Sequence, residues 1–119
     1  FSMRKVVRVV EQDEYDAWVA DMLEPSEVTA ETELGAELFG AQCISCHAID
    51  PGMPSLGPNL NGFANRMYLG GFMEPNDKNL VEWIKNPLNK KPGVTMPAYE
   101  GILTEDEINE IVKYLKTLD

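Results

Sequence analysis

Cys43-Ile44-Ser45-Cys46-His47 is the stretch on which the reading of this chain turns. The two thiols are spaced to reach the two vinyl groups of one haem. The imidazole that follows at once is then carried under the iron as its proximal ligand. The pattern C-x-x-C-H is the attachment signature of a c-type haem. It uses both cysteines and the single histidine of the chain. Other uses of such a pair fit less well. A thioredoxin-like C-x-x-C needs a βαβ context, and none precedes this one. A zinc site needs four ligands, and no further Cys or His exists to complete the set. A disulfide across so short a span would be a strained loop.

A second axial ligand would have to come from the far side of the ring. Six methionines compete: Met3, Met22, Met53, Met67, Met73 and Met96. Met53 follows too closely on His47 and has the wrong side within reach. Met3 and Met22 lie in an N-terminal appendage. Met67 and Met73 stay open, although residues of this kind are more often core or surface. Met96 sits in Lys91-Pro92-Gly93-Val94-Thr95-Met96-Pro97, an irregular loop stiffened by prolines that can present one side chain to a metal. Met96 is the expected thioether ligand.

The flanks read as helices. One is expected to run from Thr29, with Thr29 as N-cap and Glu31 and Glu33 in the first turn, where the helix dipole favours acids. Leu34, Leu38 and Phe39 give it an apolar face. Gly35 in its interior costs about 1 kcal/mol relative to alanine, which points to close approach of another helix. The last segment supplies that partner. Thr104-Glu105-Asp106-Glu107 is a capping box. Ile108, Ile111, Val112, Leu115 and Leu118 then recur at helical spacing. Phe39 and Tyr114 would lie near the crossing. A third helix is expected over Leu80 to Asn86, ending before Pro87. Between these run Gly- and Pro-rich loops at 50–62, 68–77 and 87–101. So much loop in a compact domain needs an internal organiser, and a haem is one.

Residues 1–28 read differently. Arg4 to Val10 is β-branched and is expected to form a strand. Glu11 to Leu23 reads as a short helix stopped by Pro25, with Tyr15 and Trp18 packing on it. The chain is acidic, with 10 basic and 20 acidic residues and a net charge of −10. That sign excludes nucleic acid as a partner, since phosphates need cations. The acidity is spread, net −4 over residues 1–27 and net −6 over 28–119. No apolar run reaches membrane-spanning length. The start at Phe1 and the lack of a leader read as a mature fragment or an excised domain whose export information lay upstream.

Taken together, Cys43 to His47, then Gly57-Pro58-Asn59-Leu60-Asn61-Gly62, Leu80-Val81-Glu82-Trp83-Ile84-Lys85-Asn86-Pro87, Pro92-Gly93-Val94-Thr95-Met96-Pro97 and a final helix bearing Tyr114 and Leu115 resemble class I cytochrome c. The resemblance covers residues 29–119. It implies an all-α fold of short helices and loops wrapped around one covalent haem c, with a strand-helix extension in front. It also implies roles for particular residues. Pro58 would lend its carbonyl to the outer nitrogen of His47, the tie that fixes the tautomer of a metal-bound imidazole. Arg66 would reach a haem propionate. Trp83 falls where many members carry an aromatic beside the methionine ligand, and a plain wall of the pocket serves equally well as its role. Tyr68 and Tyr99 are candidates for contacts at the haem edge. The expected haem-binding set is therefore Cys43, Cys46, His47, Pro58, Arg66, Tyr68, Trp83, Met96 and Tyr99, with His47 and Met96 on the iron.

The appendage carries a second resemblance. Phe1 to Val10, followed by Glu14-Tyr15-Asp16-Ala17-Trp18, resembles the end of the copper domain of cytochrome oxidase subunit II, with Met3 in the place of a copper-ligand methionine. A subunit II tail running into a cytochrome c domain is the arrangement of caa3-type oxidases. The implied division is residues 1–28 as the remnant of a copper domain with its linker, and residues 29–119 as the cytochrome domain. The implied role is one-electron transfer rather than catalysis. Electrons would arrive from a donor protein, a small cytochrome or an iron-sulfur protein. They would leave for the copper domain of the same subunit and for oxidase subunit I, on the extracytoplasmic face of a bacterial membrane that anchors the parent protein. The alternative is a free-standing small cytochrome c that diffuses between partners.

Overall fold

The structure, a computed structural model, describes residues 6–119. Its centre is the crossing of two helices, α2 (Glu33–Gln42) and α5 (Glu105–Leu115). Three further helices are α1 (Gln12–Leu23), α3 (Asp77–Lys85) and α4 (Pro87–Lys90), with a 3-10 turn at Phe63–Asn65. Among the described residues there is no β-sheet, only isolated bridges at Leu69–Met73 and Glu100–Leu103.

The α2–α5 crossing depends on Gly35. A Cβ at this position would sit 2.8 Å from Tyr114 Cβ and closer still to the backbone oxygen of Glu110. Without it the two backbones come together. Phe39, one turn further along α2, then meets Tyr114 edge-on, with ring centroids 5.6 Å apart at 61°. Such a pair adds ~0.5–1.5 kcal/mol beyond the area it buries. α5 begins with the expected capping box. Thr104 Oγ1 accepts from Glu107 N–H at 3.2 Å, and Glu107 Oε1 accepts from Thr104 N–H at 2.9 Å. Its apolar stripe is buried as the spacing requires, including Ile108, Ile111, Val112, Leu115 and, just beyond the helix, Leu118.

Two helix starts differ from the sequence expectation. α2 begins at Glu33, not at Thr29. The hydroxyl of Thr32 accepts from Thr29 N–H at 3.1 Å and ties the preceding residues into a turn. This is the usual competition between a short polar side chain and the helix backbone. The register puts Gly35 and Phe39 inward and leaves Leu34 exposed, so Leu34 is not on the buried face. α3 starts at Asp77, ahead of the expected Leu80, because the side chain of Asn76 accepts from Asn79 N–H at 2.8 Å. Leu80, Val81 and Ile84 are its buried face. Pro87 opens α4, where the missing N–H costs nothing.

The expected strand at residues 4–10 is not formed over the described part. Val6 to Val10 carry no regular structure, and Val7 and Val9 are almost wholly exposed. A strand needs a ladder partner, and none is present among the described residues. Met3, the expected copper-motif methionine, and the rest of Phe1–Lys5 lie outside the described residues. α1 forms where expected but buries nothing. Tyr15 and Trp18 lean on each other at the surface, 5.9 Å apart. Among the described residues two hydrogen bonds join residues 6–28 to the rest: Asn61 Nδ2 donates to Met22 O at 2.7 Å and Ser26 Oγ donates to Asp119 Oδ1 at 3.5 Å, while the Met22 thioether lies over Gly62.

Candidate haem site

The end of α2 delivers the first three groups. Cys43 N–H still donates to Phe39 O at 2.8 Å, as the last turn of the helix should. The chain then tightens, with Cys46 N–H and His47 N–H both donating to Cys43 O, at 3.0 and 2.9 Å. One compact turn therefore presents two thiols and an imidazole together. Cys43 is buried and Cys46 partly so. Burial, and then the neighbouring Cys46, push the Cys43 thiol up to about 11. Before haem is attached it is a neutral thiol.

His47 is held from behind. Its Nδ1 lies 2.7 Å from Pro58 O. A carbonyl can only accept, so the proton is on Nδ1 and the lone pair on Nε2 is left for a metal. Gly57 makes the arrangement possible. A Cβ there would lie 2.8 Å from His47 Cε1 and 3.0 Å from Nδ1. Gly57 N–H also donates to Cys46 O at 2.6 Å, clasping the loop to the turn that bears the cysteines.

These groups line one face of a cavity of about 560 Å3. Leu60, Phe63, Leu80, Ile84 and Leu115 give it an apolar wall. Met96, on the segment between α4 and α5, lines it too and packs on the core. No other methionine among the described residues does. Met53 and Met67 are exposed, Met73 packs elsewhere on the core, and Met22 lies over Gly62. Trp83, from α3, lines the cavity beneath Gly70. Tyr68 lines it from a loop and is half exposed. Tyr99 lines it and donates its hydroxyl to Gln42 O at 2.9 Å. Arg66 lines it with its guanidinium over the Phe63 ring and donating to Asn59 O. Burial pulls that guanidinium below its ordinary pKa. All nine residues named from the sequence thus border one space.

Gly57, Gly70, Gln42 and Lys91 also shape the site and carried no role in the sequence reading. Gly57 had a signal, since it stands between the histidine and the proline that holds it. The pair Gly70-Gly71 marks a turn, with φ of +60° and +88°. Nothing local marks Gln42, which offers only a backbone carbonyl, or Lys91, which reaches across the fold.

Two thiols, an imidazole with a free Nε2, a thioether and apolar walls are a donor set that fits a c-type haem. In an all-α frame of short helices they define a haem protein of the class I cytochrome c fold. Residues 32–119 match the family model described as cytochrome c, and the chain belongs to the cytochrome c family. It carries one covalent haem c and is an electron carrier rather than an enzyme by itself. It is similar to cytochrome c oxidase subunit 2 of Alkalihalophilus pseudofirmus, 38% identical over 114 residues, which is 92% of this chain and 32% of the relative. It is 39% identical to cytochrome c6 of Euglena viridis over 68% of this chain and 85% of that one. Among solved structures, cytochrome c6 from the diatom Phaeodactylum tricornutum is similar at a TM-score of 0.50 and 26% identity, covering 71% of this chain and 90% of that one. The chain spans about a third of the length of the oxidase subunits it matches. Its cytochrome domain is related to those bacterial subunits. Among the described residues no helix is long and apolar enough to cross a membrane.

Proposed function

We propose that residues 29–119 are a self-contained one-electron relay in which His47 and Met96 would hold the haem iron. The observation that carries this is the pairing of an imidazole held by Pro58 with the one described methionine on the same cavity. The bound haem supplies a one-electron couple between ferrous and ferric iron. The protein's own groups tune and protect it. Pro58 holds the His47 proton on Nδ1, which keeps Nε2 basic. A thioether donor favours the reduced metal and raises the potential. The apolar wall keeps water out, so little has to rearrange when the charge changes. Arg66 would offset the charge of a propionate. Replacing Met96 with Ala tests the ligand set. The sulfur-to-iron charge-transfer absorption of the oxidised protein should vanish, the potential should fall and carbon monoxide should bind the reduced form. Survival of the band in that variant, with loss on Met73→Ala or Met67→Ala, would refute the assignment.

Two settings suit such a relay. In the first it is a free carrier that diffuses between a donor and an acceptor. Small cytochromes matched over 84–90% of their own length support this, as does a cavity built wholly from residues 39–115. In the second it is tethered within a caa3-type oxidase. Electrons would then come from a small cytochrome or iron-sulfur protein and pass to the copper domain of the same subunit and on to subunit I, at the extracytoplasmic membrane face. Similarity to oxidase subunits over 92–94% of this chain, which takes in part of the appendage, lends it support, though less than the free carrier draws from the small cytochromes. Tethering would make the exit step intramolecular. A haem-stained denaturing gel of the native cells separates the two. A haem-bearing band roughly three times the 13.3 kDa of this chain supports the tether, and one near 13.3 kDa supports the free carrier.

A further inference from the structure

The segment that carries Met96 is held at its ends and not along its length. Among the described residues, 92–98 make no hydrogen bond to the rest of the protein. Most of them are exposed. At the near end, Lys91 N–H donates to Pro87 O at 2.9 Å and closes α4. Its ammonium donates to Gly70 O, also at 2.9 Å. Gly70 is a firm post. Its φ is +60°, and a Cβ on it would lie 2.8 Å from Trp83 Cζ3, so the turn rests directly on the indole. At the far end, Tyr99 N–H donates to Ile84 O at 3.2 Å. Its hydroxyl donates to Gln42 O at 2.9 Å, next to Cys43. The two side chains therefore tie the segment to different walls of the cavity, one at the turn over Trp83 and one at the turn that bears the haem cysteines.

We propose that Lys91 and Tyr99 are positioning residues that clamp this segment and so keep the Met96 thioether at the iron. The proposal rests on Met96 as axial ligand. The physical reason is that a neutral thioether is a modest ligand that external donors can displace. What holds it is its effective concentration, which is high while both ends of a short loop are fixed and falls when one end is freed. Segments with few internal bonds are also the ones that open first. Lys90 provides an internal contrast. It is the adjacent residue and has the same charge, yet its ammonium pairs with Glu82 on α3 and does not touch the ligand segment.

The test is imidazole titration of the oxidised, haem-loaded protein, followed by loss of the sulfur-to-iron absorption. Lys91→Met and Tyr99→Phe should each bind imidazole about three- to tenfold more tightly than wild type, the range one hydrogen bond commands. Lys90→Met, with the same loss of charge, should leave the affinity unchanged. Lys91→Arg, which can donate to the same carbonyl, should recover the wild-type value. A purely structural role would lower the unfolding temperature of the helices without moving imidazole affinity. Wild-type affinity in either Lys91→Met or Tyr99→Phe overturns the clamp, as does an equal shift in Lys90→Met. Persistence of the absorption in Met96→Ala would instead refute the ligand reading, so the two failures are told apart.

Discussion

Replacing Gly35 with Ala puts two opposing effects in one methyl group. On helix propensity alone the change should stabilise α2 by about 1 kcal/mol, since glycine in a helix interior loses more chain entropy than alanine. At the crossing the methyl has nowhere to go. It would meet Tyr114 Cβ at 2.8 Å, and it would press harder on the backbone oxygen of Glu110, which no rotamer change can remove. The helices must part by roughly an ångström in a core packed like a crystal. Overpacking of this kind costs ~1–3 kcal/mol. Parting the helices also loosens the Phe39–Tyr114 edge contact, worth a further ~0.5–1.5 kcal/mol. The net expectation is a loss of about 2 kcal/mol, or roughly 10 °C in Tm for a domain of this size. Gly40 lies on the same helix with no atom within 4 Å of a built Cβ. Gly40→Ala should therefore raise Tm by a few degrees, through propensity alone. The assay is thermal unfolding of the haem-loaded variants by far-ultraviolet circular dichroism at equal haem content. A Gly35→Ala protein that melts at or above wild type, or two variants that shift in the same direction, would refute the account of the crossing.

Thr104→Ala removes the side-chain half of the α5 capping box and should cost about 1 kcal/mol, read as a shift in denaturant midpoint at constant slope. Gly57→Ala should drive a methyl into the His47 ring and break its bond to Pro58. The Nδ1 proton of the reduced protein should then exchange faster in proton NMR, and an unchanged rate would show that the loop yields instead. A chain starting at Ser26 loses α1, which buries nothing, and the single Asn61–Met22 bond. Its spectrum and potential should match the full chain, with stability lower by no more than ~1 kcal/mol. A shifted potential would mean that the appendage supports the haem pocket.

Some of this protein was legible from residues a few positions apart. The cysteines and the histidine of one turn, the capping box at Thr104 and the stripe from Ile108 to Leu118 are local patterns. Their meaning follows from helical spacing and from the reach of one side chain. Gly35 was legible too, because an interior glycine implies a close neighbour. Other features came only with the closed chain. Thr29 reads as the cap on paper, and the Thr32 hydroxyl, turned back on Thr29, decides that α2 starts at Glu33. Val6 to Val10 have the composition of a strand, but strand formation needs a partner that composition does not supply. Met96 is the expected ligand because of its proline-stiffened loop, but that Met67 and Met73 stay off the cavity is set by the path of the backbone. Lys91 and Gly70 are far apart in sequence and carry no mutual signal. Their bond exists because α3 and α4 bring the two loops together over Trp83. Hydrogen-bond geometry and periodicity act over a few residues and are written there. Which surfaces meet is set by closing long loops around a common centre, a property of the whole chain.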